Sequence, residues 1–220
     1  MLFSKSRIIT HIWLALITLL GCYLTTFYKN ADTFAHALAI GFGYVSLFLL
    51  VITLLIGPMN LLSQKNRSRN PVNIYFRRDI GIWAGFTGCL HVWFGLQVHL
   101  GGQPLLYFLE KKGNSYVPAS GLFGLSNYIG AFATLILLIL LLLSNDITLK
   151  RLKGKVWKLL QRTNYVLFLL VLAHTLAYQV VVKREQIFMF AVMSLTVVLL
   201  LVQALGLYLS VSRRKVKSTD

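Results

Sequence analysis

The chain alternates between long apolar runs and short segments crowded with basic residues, and it does so six times. The runs cover roughly 8–28, 34–62, 79–100, 121–144, 157–182 and 187–211. Each is about 20 residues or longer, enough to cross a hydrocarbon core of about 30 Å as a helix rising about 1.5 Å per residue. The pattern predicts an all-α fold, a polytopic six-helix transmembrane bundle. Residues 1–220 form a single domain in this reading, because the longest segment between runs is only 101–120. That segment, GGQPLLYFLEKKGNSYVPAS, has the Gly, Pro, Asn and Ser content of turns and is expected to form a short cap or to touch a partner.

Composition agrees with the pattern. Hydrophobic residues make up 57% of the 220 and charged residues 13%, against about 25% charged in soluble domains. The formal charge of +16 invites a nucleic-acid reading, but the placement of the charge argues against one. Lys5 and Arg7 precede the first run, and Lys65, Arg67, Arg69, Arg77 and Arg78 fall in or beside loop 63–78. Lys150, Arg151, Lys153, Lys155, Lys158 and Arg162 occupy 145–162, and Arg213, Arg214, Lys215 and Lys217 end the chain. In a six-span topology these segments share one side and hold 17 of the 22 basic residues; Lys29, Lys111, Lys112, Lys183 and Arg184 fall on the other. Cytoplasmic loops carry the Lys and Arg excess, so both termini are expected to be cytoplasmic. Basic loops facing anionic lipid explain the charge, with membrane lipid as the partner and no nucleic acid.

The first run is longer than the about 7–15 apolar residues of a signal peptide, and no small-residue cleavage site follows it. LLGC, ending at Cys22, only faintly resembles a lipoprotein box, because Leu20 fits it poorly. Cys22 and Cys89 fall in different runs with no C-x-x-C pair, which argues against a disulfide-relay enzyme and for two small buried hydrophobes. No G-x-G-x-x-G, phosphate-binding loop, extramembrane nucleotide domain or internal repeat is present, so a redox role would need a reductant from elsewhere.

The histidines carry the candidate chemistry. His11, His36 and His99 lie near the ends of runs, where a side chain reaches water or headgroups, and an interfacial role is the expectation for each. His36 and His99 share a depth, which leaves a second outer site open. His91 and His174 lie deeper. His91 follows Arg78 by 13 positions, and His174 follows Arg162 by 12. On two parallel spans that places both roughly 18–20 Å past the last cytoplasmic arginine, slightly beyond the bilayer centre.

A lone buried histidine is usually satisfied by a backbone or hydroxyl partner. An ionisable residue inside a span is a functional hypothesis by default, and a depth-matched pair strengthens it. Two neutral imidazoles suit the axial positions of heme iron, and a heme is flat and apolar enough for that depth. Zinc fits less well, because it takes three or four protein ligands and no Cys, Asp or Glu stands at that depth. Gly88 and Gly95, at −3 and +4 from His91, share its helical face and give room for a helix or a flat ring; ordinary small-residue helix packing remains open for Gly81 and Gly85. Trp93, Phe94 and Tyr178 are candidates to line a macrocycle, or equally to face lipid or core.

Two blocks also resemble a known family. RRDIGIWAGFTGCLH (77–91) resembles the start of the third helix in the ferric reductase-like transmembrane superfamily. SNDITLKRLKGKVWKLLQRTNYVLFLLVLAH (144–174) resembles the next motif block of its small bacterial branch. That branch includes the heme-binding membrane subunit of the periplasmic methionine sulfoxide reductase system. The resemblance implies that His91 and His174 are axial heme ligands. The family commonly has another histidine 13 positions before the last one; here that position is Gln161, and no second histidine stands 13 or 14 positions from His91. One heme b is therefore expected, not a stacked pair. The resemblance also leaves open an FMN or quinone site on the cytoplasmic side near Arg78, Gln161 and Arg162.

The expected function is that of a membrane b-type cytochrome. It would carry electrons across the bilayer through a bis-histidine heme, from a quinol or flavin donor to an acceptor on the outer side. The expected location is a bacterial inner membrane, beside a redox partner protein or membrane complex. The alternative is a non-enzymatic accessory or assembly subunit with the same fold, which Gln161 favours. A transporter ranks last, because Asp32, Asp79, Glu110, Asp146, Glu185 and Asp220 all sit at span ends or in loops.

Overall fold

A computed structural model describes residues 5–28, 33–63, 74–181 and 186–217. Lys29, Lys65, Arg67, Arg69, Lys183 and Arg184, which entered the charge argument, lie outside the described residues, as do Asp32, Glu185 and Asp220. The helices are α1 (Lys5–Tyr28), α2 (Phe34–Ser63), α3 (Ile74–Gly95), α4 (Gly121–Leu143), α5 (Asp146–Arg151), α6 (Lys153–Gln161), α7 (Asn164–Val181) and α8 (Gln186–Lys217). Five stretches are long and apolar enough to cross a membrane: Arg7–Phe27, Phe34–Leu62, Gly121–Leu143, Val156–Val181 and Gln186–Ser212. The protein is an integral, multi-pass helical membrane protein. α3 is not in that set; Arg77, Arg78 and Asp79 stand in its opening turns.

Helix α2 is the central post. Leu49, Leu50 and Val51 are consecutive and all buried, with Leu47 and Leu54 beside them, so most of this stretch is turned inward and Phe48 alone among 47–54 is exposed. α1, α3, α7 and α8 pack against it. α8 is the opposite case. It buries Val192, Thr196 and Leu199, at i, i+4 and i+7, while Phe190, Leu200 and Leu207 remain exposed on the outside of the bundle.

The post contains a proline and so has a gap in its backbone hydrogen bonding. Pro58 lies inside α2 and has no N–H to give the carbonyl four residues earlier. That carbonyl belongs to Leu54, and Gln203 of α8 donates to it through Nε2 at 2.8 Å. Gly206, one turn further along α8, lets that helix close on the proline; a Cβ there would stand 2.7 Å from Pro58 Cβ. In an apolar surrounding a neighbouring helix must supply such a donor.

α1 is clasped to α3 by a buried carboxylate. Arg7 donates to Asp79 twice, Nε to Oδ2 at 3.0 Å and Nη2 to Oδ1 at 2.6 Å, and Asp79 is 1% exposed. Trp83 Nε1 donates to His11 Nδ1 at 2.9 Å, and His11 Nε2 lies 3.9 Å from Asp79. His11 is therefore packed between two helices, where an interfacial side chain was expected.

One span boundary differs from the sequence reading, and one span is broken into two helices. The third span was expected over 79–100, but helix α3 runs from Ile74 to Gly95. Beyond Gly95 the bonds tighten to i→i+3, as in Gln97 N–H to Phe94 O and Val98 N–H to Gly95 O. Leu100, Gly101 and Gly102 then take left-handed backbone angles and reverse the chain. The fifth span, expected over 157–182, agrees with the stretch Val156–Val181 but is built from two helices. α6 ends at Gln161 and α7 begins at Asn164, with Arg162 N–H to Leu159 O and Thr163 N–H to Leu160 O bonds making a tight step between them.

Segment 101–120 does form a cap. Its strands β1 (Leu109–Lys112) and β2 (Ser115–Pro118) pair antiparallel, Leu109 opposite Pro118 and Lys112 opposite Ser115. The hairpin marks one end of the bundle, and Arg78, Lys158 and Arg162 mark the other, basic end.

Replacing Gln203 by Leu leaves the Leu54 carbonyl without its donor. The expected loss is about 0.6–2 kcal/mol, read as a lower thermal unfolding midpoint of the detergent-solubilised protein, with the absorption spectrum unchanged.

Candidate functional site

His91 on α3 and His174 on α7 sit in matching seats. His91 Nδ1 donates to the Ala39 carbonyl of α2 at 2.7 Å, and His174 Nδ1 donates to the Ser126 carbonyl of α4 at 2.8 Å. Four residues beyond each carbonyl stands a glycine, Gly43 and Gly130. A Cβ on Gly43 would lie 2.8 Å from His91 Nδ1, and one on Gly130 would lie 2.8 Å from His174 Nδ1. Each imidazole thus reaches a helix carbonyl because the residue one turn on has no side chain. A carbonyl oxygen has two lone pairs, so it accepts the imidazole in addition to a helix amide.

The seats fix the chemistry of the rings. A ring that donates from Nδ1 to a carbonyl keeps its lone pair on Nε2, the nitrogen that ligates a metal. The two ring centres are 6.2 Å apart and the planes are 77° to each other. His91 and His174 would be the residues to hold a metal-bearing group between them, each through Nε2.

Both rings line a cavity of about 350 Å³, within the range of about 300–1,000 Å³ for small-molecule sites. Its wall is mostly aliphatic and glycine, from α2, α3, α4 and α7, and among the described residues it contains no Lys, Arg, Asp or Glu. The cap closes the hairpin end. Tyr107 is buried there; its hydroxyl accepts from His99 N–H at 2.8 Å and donates to Gly95 O at 2.9 Å. Burial pushes the Tyr107 phenol above its ordinary pKa, so the hydroxyl remains a donor at neutral pH. Asn127 Nδ2 donates to Tyr107 O at 3.0 Å, and Tyr178 donates to Asn127 Oδ1 at 3.0 Å. The Tyr178 ring lies 5.0 Å from that of His174, so cap and seat belong to one network.

Gly88 and Gly95 both line the cavity, in unequal ways. A Cβ at Gly95 would meet nothing within 4 Å, so this glycine leaves open room. At Gly88 a Cβ would stand 2.7 Å from Leu137 Cδ1 and 3.0 Å from Ser46 Oγ, so that glycine admits α4 and α2. Arg78, Gln161 and Arg162 are not in this wall. Arg78 is buried at the basic end, and Arg162 is exposed at the step between α6 and α7. Gln161 lines a separate cavity of about 40 Å³, accepts from Asn164 Nδ2 at 3.3 Å, and has its Nε2 buried with no hydrogen-bond partner among the described residues. That volume is far below what a flavin or quinone ring requires. Gly43, Gly130, Ala39 and Ser126 escaped the sequence reading. A glycine in a neighbouring span is a visible signal, but which turn it faces is set by helix register, which one sequence does not encode.

A heme brings four nitrogen ligands of its own and takes one or two from the protein. A bare cation needs more, and no group of three or more His, Cys, Asp or Glu able to hold one occurs among the described residues. The paired seats and the apolar cavity fit a heme.

The family model described as ferric reductase like transmembrane component matches residues 42–172, a stretch that includes Gly43, His91, Gly130 and the whole of α4. No curated protein and no solved structure matches the chain.

Gly43→Ala and Gly130→Ala are expected to push the imidazole off its carbonyl and lower hemin affinity by about 10–100-fold, read by Soret titration of the purified apoprotein. Gly57→Ala, where a Cβ meets nothing within 4 Å, is the control and should bind as the parent does.

Proposed function

We propose that this chain, which belongs to the ferric reductase like transmembrane family, is a b-type cytochrome that holds one heme between His91 and His174 and carries electrons across the membrane. The observation that carries the proposal is the pair of carbonyl-anchored imidazoles 6.2 Å apart in one apolar cavity. The family's membrane redox role supports it.

A heme held there supplies a one-electron couple whose potential depends on its ligands and burial. The protein's contribution is made by its own residues. Ala39 and Ser126 hold the two rings in the Nδ1–H tautomer and raise the basicity of the opposite nitrogen. Gly43 and Gly130 let the rings sit low against α2 and α4, and Gly95 leaves room on the α3 side. The hairpin cap, pinned by Tyr107 and Asn127, limits water at one end. Leu137, Leu167 and Val171 close the other end toward Gln161.

In this proposal the termini are cytoplasmic, as the excess of basic residues on that side supports, and the membrane is the inner membrane of a bacterium. A quinol or a flavoprotein partner delivers electrons at the basic end, and the hairpin faces the acceptor. One heme per chain follows from Gln161 and from the small cavity beside it.

Purified protein should show a reduced-minus-oxidised b-type spectrum and a heme-to-protein ratio near one. His91→Ala and His174→Ala should each lose the low-spin Soret and α-bands. Unchanged bands in both variants would overturn the proposal. A heme-free protein that co-purifies with a larger complex would instead favour the accessory-subunit reading.

A further inference from the structure

The same cavity contains a second pair of histidines. His36 and His99 both line it, with ring centres 6.2 Å apart and planes at 63°. His36 lies seven residues before Gly43 on α2, about 10 Å along the helix from the His91 seat at about 1.5 Å per residue. His99 lies eight residues beyond His91, on the turn that follows α3. The second pair therefore stands at the hairpin end of the cavity, displaced along the bundle from the first.

The placement of His99 is imposed by the backbone. Leu100, Gly101 and Gly102 have φ of 56°, 65° and 72°. A left-handed leucine is costly, and such strain persists only where the surroundings enforce it. Here Tyr107 holds the turn, binding His99 N–H and Gly95 O with one hydroxyl. The His99 ring stacks on Tyr178 with centres 6.4 Å apart. His36 sits in the first turn of α2, where its own N–H bonds Thr33 Oγ1 at 3.2 Å, and the partial positive charge of a helix N-terminus favours an anion.

Among the described residues the cavity wall has no Lys or Arg, so apart from His91 and His174 these two imidazoles are the described lining side chains able to carry positive charge. No third His, Cys, Asp or Glu joins them in a metal-ligating group among the described residues. That chemistry suits an anion better than a cation. A carboxylate drawn toward an apolar cavity needs charged or N–H donors at its resting place. A b-type heme bears two carboxylates on one edge.

We propose that His36 and His99 are the carboxylate-binding end of the cavity, receiving the two propionates of the macrocycle that His91 and His174 ligate. The assignment rests on the heme reading and adds the direction in which the macrocycle is inserted. The propionate edge faces the hairpin and the vinyl edge faces the aliphatic wall.

The test compares iron protoporphyrin IX with its dimethyl ester, which keeps the iron and the ring but removes both negative charges. Full-length apoprotein from a heme-deficient host is titrated with each in detergent. The parent should bind the free acid at least about tenfold more tightly. The His36→Leu, His99→Leu double variant should lose that preference while keeping the low-spin spectrum given by His91 and His174. The single variants His36→Gln and His99→Gln should each lose part of it. Equal binding of acid and ester by the parent overturns the proposal without recourse to any variant, and so does a preference undiminished in the double variant. In both cases the low-spin spectrum leaves the heme reading standing. A parent that takes up neither compound, or a His91→Ala variant that binds the free acid as the parent does, overturns the heme reading and this proposal together.

Discussion

A helix carbonyl already accepts one hydrogen bond from the amide four residues on, and a side chain reaches its second lone pair only if nothing crowds that turn. His91 and His174 meet this condition in the same way, at Ala39 over Gly43 and at Ser126 over Gly130. The sequence has no repeat, yet the two halves of the site are built alike. α2 seats the ring from α3, and α4 seats the ring from α7. Ring height, tautomer and facing distance all depend on these two contacts. The cavity between the helices is the space that the seated rings leave.

Such seats work only if the helices that offer them stay in place, and α2 carries most of that burden. It is buried over most of its middle section, and its weak point at Pro58 is covered by Gln203 at 2.8 Å from the Leu54 carbonyl. α3, which brings His91, is fixed at its start by the Arg7–Asp79 pair and the Trp83–His11 bond. A buried carboxylate costs more in desolvation than one ion pair returns, unless its further lone pairs also find donors. Arg7 meets both oxygens. The clasp gives α1 a single register against α3, and it stands at the opposite end of α3 from the hairpin.

The bundle itself was legible, because about 20 apolar residues in a row have few other uses. So was the pairing of His91 with His174. Counting 13 and 12 residues from Arg78 and Arg162 gives the same depth on two parallel helices, and depth is a one-dimensional quantity that a sequence carries. The count survives the step at Arg162 and Thr163 because the tight turns there cost α7 little height. What sits opposite an imidazole is a matter of rotation and neighbour identity. Gly43 and Gly130 therefore looked like any glycine in a membrane helix, while Gly88 looked like room and is packing. His36 and His99 shared a predicted depth and were assigned to the interface. The left-handed turn at 100–102 and the hairpin above it draw His99 back over the cavity, and no periodicity in the chain announces that turn.

The two cavities explain why one imidazole pair is the reading the bundle favours. They share Ser46, Leu137, Leu167 and Val171 as walls, yet one measures about 350 Å³ and the other about 40 Å³. The difference is made by leucines. Leu140 and Leu141 enter the smaller space from α4, and a Cβ on Gly85 would already stand 3.0 Å from Leu141 Cδ1. Of the glycines of α3 at that level, Gly85 receives Leu141 and Gly81 faces the Thr53 methyl, 3.8 Å from where a Cβ would stand, whereas Gly95 faces open room. Gln161 lies in this filled half with its Nε2 lacking a hydrogen-bond partner among the described residues, which costs about 1–3 kcal/mol if nothing else binds it. A space of about 40 Å³ exceeds the about 10–15 Å³ that a water requires, and Thr53, Ser144 and Asn164 supply polar neighbours. The cavity beside Gln161 is thus sized for water, and the one beneath the hairpin is sized for a ligand. A histidine at position 161 would not reverse that by itself, because the leucines of α4 would still occupy the space a second macrocycle needs.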